Sequence, residues 1–220
     1  MLDRGLERIE LKVADKTSKS ATIRVIGIIR VPKLLELHRG PPPTDSELPK
    51  VFTVWTLGHS TRSVDELVDI LRAYDIELLV DVRRFPGSRR LPQFNRPVLE
   101  STLASHHIDY CWLESLGGRR RASANSVNVA WRNDSFRAYA DYIATEEFAS
   151  GLFELLMLAR GLRTAVMCAE VLWWRCHRRI IADVLTSLGA TVVHIRDAAE
   201  SEIHRLAAPA RVVDGELVYF

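Results

Sequence analysis

Four polar segments in this chain each follow a short apolar, β-rich run, and each carries residues able to do chemistry. Gly58-His59-Ser60 follows Val51–Leu57. The glycine permits a sharp turn, and an imidazole at that rim titrates near neutrality, so His59 is a candidate acid or base with Ser60 beside it. Asp81-Val82-Arg83 follows Leu78-Leu79-Val80. Asp81 and Arg83 are two residues apart and project to one side while the chain stays extended. The loop beyond adds Arg84, Arg89, Arg90 and Arg96, interleaved with Phe85 and Phe94, a mixture suited to phosphate contacts and base stacking. Leu116-Gly117-Gly118-Arg119-Arg120-Arg121 follows Tyr110–Leu113, pairing backbone freedom with a positive field.

The fourth segment carries the most. Cys168 and Glu170 share a side at the end of Thr164–Cys168, and a helix opens near Cys176-His177-Arg178. A helix start favours an anion and a thiolate, so Cys176, His177 and Arg178 are candidate binding groups with Cys168. A partly buried Glu170 would have its pKa raised and serve as general acid or base. Trp173 and Trp174 occupy the connecting loop, available for packing or stacking. Each feature also has a plain structural reading. His59 then bonds to nearby backbone, the arginines form a solvated loop, the cysteines are buried hydrophobes, Glu170 pairs with a structural arginine, and the tryptophans close the core.

Composition bounds the classes. The chain has 220 residues, 47 % hydrophobic and 26 % charged, which excludes disorder, collagen and coiled coil. No apolar run approaches the ~18 residues of a membrane span, and Met1–Glu10 is too charged for a secretory signal. Three cysteines (Cys111, Cys168, Cys176) make no disulfide framework, which favours a reducing, cytoplasmic setting. Net charge is +2, but residues 1–50 carry ten Lys/Arg against seven Asp/Glu, while residues 51–220 carry twenty against twenty-one. Any nucleic-acid footprint on the body is therefore a patch. All five lysines lie before residue 51, and the break falls at the Pro-rich Gly40–Asp45, an extended linker. Residues 1–50 read as an appendage with strand-like Arg8–Val13 and Thr22–Val31, and residues 51–220 as the folded body.

The elements that must position these segments alternate in type. Ser63-Val64-Asp65-Glu66 is a capping box opening an amphipathic helix. Pro97 suits the first turn of a helix to about Ser105. Phe136–Thr145, Phe148–Arg160 and Cys176–Leu188 read as helices, the last ended by Gly189, and Thr191–Ile195 as a strand. Asp214-Gly215 lies between β-rich flanks as a terminal hairpin turn. Strand and helix in turn predict an α/β fold, a mainly parallel sheet with helices on both faces. Ligands bind such sheets beyond the carboxyl ends of the strands, where all four segments fall.

In this order the segments resemble the family known as domain of unknown function 488. The matching stretches are Gly58-His59-Ser60, Asp81-Val82-Arg83 with Pro86 and Ser88, Phe94-Asn95, Leu116–Arg119, Phe136–Ala140, Cys168-Ala169-Glu170, Cys176-His177-Arg178 and Val193-His194-Ile195. Cys111-Trp112 departs from the small polar or histidine position expected there. The resemblance implies an α/β sandwich with a polar pocket built from these motifs, and no established reaction.

The leading expectation is an enzyme acting on a nucleotide or nucleic-acid component. Arg83 and Arg178 would hold the anionic group, and Glu170 with Asp81 or His59 would transfer protons. A second is a non-catalytic nucleic-acid or nucleotide binder, with Arg84, Arg89, Arg90, Arg119 and Arg120 on the backbone and Trp173 or Trp174 stacking. A third is a Cys/His metal-binding protein using Cys168, Cys176, His177 and His59. No metal or cofactor is expected, because there is no CxxC, and adjacent Cys176 and His177 diverge by about 100° if both are helical.

Overall fold

The computed structural model describes residues 10–13, 21–24, 52–121, 123–213 and 216–220. Within the appendage, β1 (Glu10–Val13) pairs antiparallel with β2 (Ala21–Arg24). The Pro-rich linker lies outside the described residues.

The body alternates as the pattern predicts: β3 (Thr53–Gly58), α1 (Val64–Ala73), β4 (Leu78–Asp81), α2 (Arg96–Ser105), β5 (Asp109–Trp112), α3 (Asp134–Tyr142), α4 (Glu146–Gly161), β6 (Thr164–Cys168), α5 (Arg178–Ser187) and β7 (Thr191–Ile195). The capping box forms, with the Ser63 hydroxyl accepting from Glu66 N and the Glu66 carboxylate accepting from Ser63 N. The strands order as β5-β4-β6-β3-β7, all parallel, with a sixth strand, β8 (Ser201–Ile203), antiparallel at the edge. That edge strand escapes sequence reading because its three residues are all exposed and carry no apolar alternation. A terminal hairpin pairs β9 (Ala210–Val213) with β10 (Glu216–Tyr219). Its register sets Val213 opposite Glu216; the turn expected at Asp214-Gly215 lies outside the described residues.

Alternate strand residues face opposite layers, as a pleated strand requires. Val54, Leu78, Val80, Val166 and Val192 pack with Tyr139, Leu155, Ile181 and Leu185 of α3, α4 and α5. Leu57, Leu79, Ala165, Met167 and Ile195 pack with Leu67, Leu71, Leu99 and Leu103 of α1 and α2. The chain winds outward through α1 and α2 on one face, then returns through α4 to insert β6 between β4 and β3. Because of that reversal, the three central strands end side by side on Asp81, Cys168 and Gly58. No helix among the described residues is long and apolar enough to cross a membrane.

Candidate functional site

The rim of the site is continuous backbone. His59 N donates to Cys168 O at 3.0 Å and Ser60 N to Ala169 O at 2.9 Å, carrying the β3–β6 ladder past the strand ends. A Cβ on Gly58 would sit 1.9 Å from the Glu170 carbonyl oxygen. Only glycine allows the Cys-Ala-Glu turn to lie against this strand, so the first and fourth segments are one packed unit.

Beside it, on the α1/α2 side, Asp81 and Arg83 meet as their spacing predicts. Arg83 donates from Nε to Oδ1 at 2.9 Å and from Nη2 to Oδ2 at 2.5 Å, and its own backbone N bonds Oδ1 at 2.9 Å. Tyr110 Oη donates to Asp81 Oδ2 at 2.7 Å, and Arg83 Nη2 also reaches Phe94 O at 2.8 Å. Burial and the Asp81 charge push the Tyr110 phenol up, so it remains a donor. Arg83 Nη1 faces His59 Nε2 at 3.3 Å. His59 donates from Nδ1 to Ser60 O at 2.9 Å and stacks on Phe94 at 4.1 Å. A carbonyl only accepts, so His59 carries its proton on Nδ1 and offers Nε2 to the guanidinium. Burial, then Arg83, lowers its pKa to about 4. The expected neutral-pH acid is instead a neutral acceptor. Asp81, 0 % exposed with both oxygens occupied, has no lone pair free for a substrate proton.

On the opposite face of the sheet lies a different cluster. A single 3-10 turn, Trp173–Arg175, delivers Cys176 in extended backbone (φ −125°, ψ 152°) and His177 in helical backbone (φ −57°, ψ −18°). The two are therefore not on one helix, and the expected 100° divergence does not arise. His177 Nδ1 stands 3.5 Å from Cys176 Sγ, and Nε2 meets Val82 O at 3.2 Å. The ring fits because position 118 is glycine, where a Cβ would lie 2.9 Å from His177 Nδ1. The paired glycines thus admit His177, and Arg84 at Gly117, in place of a ligand. A hydrogen bond from Cys168, then His177 and Arg178, holds the Cys176 thiol well below its usual range. Accordingly Cys168, the donor, is pushed up by that bond and by burial.

Arg178 opens α5 and is 1 % exposed. Its Nη2 donates to the carbonyls of Glu170 and Val171, while its Nε has no partner. No carboxylate lies within 4.0 Å of it among the described residues. Glu170 supplies only that backbone oxygen. Its side chain is exposed and accepts from Leu172 N at 3.3 Å, making no hydrogen bond to Asp81 or His59.

The remaining candidates divide. Arg120 is committed, to Glu147 at 3.2 Å, to the carbonyls of Gly117, Glu114 and Ser115, and over the Tyr142 ring at 3.6 Å. Trp173 is committed too, stacked on His194 at 4.0 Å and donating to Glu202. Trp174 is 38 % exposed. Arg89, Arg90, Arg119 and Arg121 are exposed, and Arg119 lies over Phe85, itself 64 % exposed, at 5.8 Å.

Two features escape sequence reading. Tyr110 completes the Asp81 shell, signalled only by its register one residue from Val80's partner Cys111. A buried chain also runs from Thr56 Oγ1 to His194 Nδ1 (2.7 Å), His194 Nε2 to His204 Nδ1 (2.9 Å) and His204 Nε2 to Asp183 Oδ1 (2.9 Å), with Tyr219 Oη on Asp183 Oδ2 (3.0 Å). Its signals are Asp183 inside the otherwise apolar run Ile180–Leu185 and His194 in the Val193-His194-Ile195 stretch, and neither reveals the connection.

An open depression at the amino ends of the strands, beside Trp55, Glu77 and Arg163, offers nothing comparable. The Arg163 guanidinium is already spent on the Trp55 ring and the carbonyls of Tyr74 and Asp75, and its backbone N donates to the Glu77 carboxylate.

Neither the curated proteins nor the solved structures hold a match to this chain. One family model does match, over residues 63–185, more than half the sequence, taking in the Asp81, Gly117 and Cys168–Arg178 segments and stopping short of His59 and His194. The chain belongs to that family, described as domain of unknown function DUF488.

Proposed function

We propose that this protein is an enzyme acting on a nucleotide or nucleic-acid component, with its anion site at Arg178 and the first turn of α5. The observation that carries this reading is Arg178 itself, a buried guanidinium with no carboxylate partner and an unsatisfied Nε. Burying a lone cation costs several kcal/mol, and an anionic ligand at a helix start offsets that cost. Glu170, exposed on the turn whose carbonyl Arg178 holds, is the proton-transfer group at the rim. Asp81 acts on Arg83 as a positioning residue, and His59 accepts from Arg83. The exposed arginines at 89, 90, 119 and 121, with Phe85, extend the site for a longer phosphate-bearing substrate, while Arg84 is half-buried and pairs with Glu114 at 3.9 Å. The absence of a disulfide framework suits a cytoplasmic setting.

The test uses the full chain with adenosine 5′-monophosphate and with a 5′-phosphorylated single-stranded oligonucleotide. At a hundredfold excess over Kd a ligand adds about 2.7 kcal/mol, roughly 5–10 °C in Tm for a chain this size. Glu170→Gln is expected to keep that shift and lose turnover. No shift with either ligand at low salt overturns the anion site. A pH–rate profile unchanged in Glu170→Gln removes Glu170 from the chemistry.

A second reading, nucleic-acid binding without catalysis, is favoured by the exposed Phe85 under Arg119. It predicts oligonucleotide affinity falling steeply with salt, by about 0.7 in the log–log slope per phosphate contacted, and no turnover. Flat binding between low and moderate salt excludes it.

A further inference from the structure

We infer that Cys168 Sγ, Cys176 Sγ and His177 Nδ1 form a three-donor metal site suited to zinc, with the fourth position open. Three observations converge. The donor atoms all lie within 4.8 Å of one another, and no fourth His, Cys, Asp or Glu joins them among the described residues. Tetrahedral zinc, with Zn–S about 2.3 Å and Zn–N about 2.0–2.1 Å, separates a sulfur ligand from a nitrogen ligand by about 3.6 Å. Cys176 Sγ and His177 Nδ1 are 3.5 Å apart. The imidazole is also oriented as a metal needs. Val82 O can only accept, so His177 keeps a proton on Nε2 and Nδ1 is the ring atom that faces the sulfurs, the carbonyl-backed arrangement typical of metal-bound histidine.

Donor chemistry selects the metal class. Two thiolates and an imidazole suit zinc and other soft or borderline ions, and exclude magnesium and calcium, which take oxygen. Protons still held on the sulfurs or on Nδ1 leave to solvent on binding, and the two thiolate charges cancel the dication. Arg178 then remains an uncompensated cation beside a neutral centre. An anion at the open position would meet both the metal and the guanidinium, so the two sites would support one another. Two cysteines and one histidine with a vacant fourth ligand is the donor count of a catalytic zinc, while structural sites use four. Cys111, on β5, is not in the cluster and serves as an internal control.

The experiment uses the reduced full chain without a polyhistidine tag, with cobalt(II) as the coloured probe and zinc as competitor. One cobalt per chain is expected to give a thiolate charge-transfer band, bleached by zinc. Cys168→Ser and Cys176→Ser should each weaken and shift the band, and Cys111→Ser should leave it unchanged. Should the site variants fail to fold, alkylation of the wild-type chain still decides. Zinc is expected to slow modification of Cys168 and Cys176 by about tenfold or more, since the free thiolate is the nucleophile, and to leave Cys111 unaffected. Three thiols alkylated at the same rates with and without zinc, or a cobalt spectrum free of thiolate bands, overturns the site. None of these readouts depends on anion binding or turnover, so the proposed enzyme function stands or falls separately.

Discussion

The two faces of the sheet end in clusters of similar size and opposite character. Around Asp81 every polar atom has found a partner. Its carboxylate holds Arg83 and Tyr110, Arg83 holds Phe94 O and meets His59, and His59 closes on Ser60 O. Around Arg178 capacity is left over, with a guanidinium lacking a carboxylate, an Nε lacking a partner, and two sulfurs and an imidazole nitrogen converging. Proteins satisfy buried polar groups nearly everywhere, so the satisfied knot reads as scaffold and the unsatisfied one as the place where something binds. Charged residues at a strand end do not of themselves make a catalytic group. What separates the two is whether their hydrogen-bonding capacity is already spent.

Substitution can break that contrast, and the largest effect should come from the scaffold. Asp81→Ala strands the buried Arg83 cation and is expected to cost about 3–5 kcal/mol in denaturant unfolding. A cost under 1 kcal/mol would mean that Asp81 is free for substrate after all.

Acid should dissect the same knot. Burial and Arg83 hold His59 near pKa 4 in the folded state, below its ordinary 6.5, so protons bind the unfolded chain first. The stability His59 contributes is complete above about pH 6.5 and is lost as pH falls to about 4, up to about 3 kcal/mol. His194, held near 2 by burial and by His204, steepens the same limb. His59→Gln, which keeps a donor for Ser60 O and an acceptor for Arg83, should flatten it when stability is followed against pH. An acid limb identical to wild type would show that His59 is solvated.

A smaller effect is expected at the seam between the clusters. In Gly58→Ala the new Cβ meets the Glu170 carbonyl, so the Cys-Ala-Glu turn must move, at about 1–3 kcal/mol. Unfolding should report that cost, and ligand binding at Arg178 should weaken with it. The smallest effect on stability belongs to the rim. Glu170→Gln changes an exposed side chain and should stay within about 0.5 kcal/mol of wild type, which is what makes it a clean probe of catalysis.

Much of this was legible from residue types and spacing. Capping at Ser63, the apolar runs at Leu78 and Thr164, and the two-residue spacing of Asp81 and Arg83 are local signals, and each led to the observed element or contact. Long-range geometry was not legible. Nothing local reports that Glu170 turns its backbone carbonyl, and not its carboxylate, toward the interior, because the crowding at Gly58 is set by a strand more than a hundred residues earlier. Nor does the spacing of Cys176 and His177 reveal convergent donors. A helical pair would diverge, and only the 3-10 turn before them, with Gly118 across the cleft, brings the ring back onto the sulfur. Residue type leaves Trp173 open to either packing or stacking, and the choice is made by His194, in a strand later in the sequence.

The most direct trial of the contrast is a crystal structure grown with tungstate, a heavy stand-in for phosphate. An anion within hydrogen-bonding distance of Arg178 and the first turn of α5, with the Asp81–Arg83–Tyr110 bonds intact, is the expected result. Tungstate displacing Asp81 from Arg83, with nothing beside Arg178, would reverse the assignment of scaffold and site.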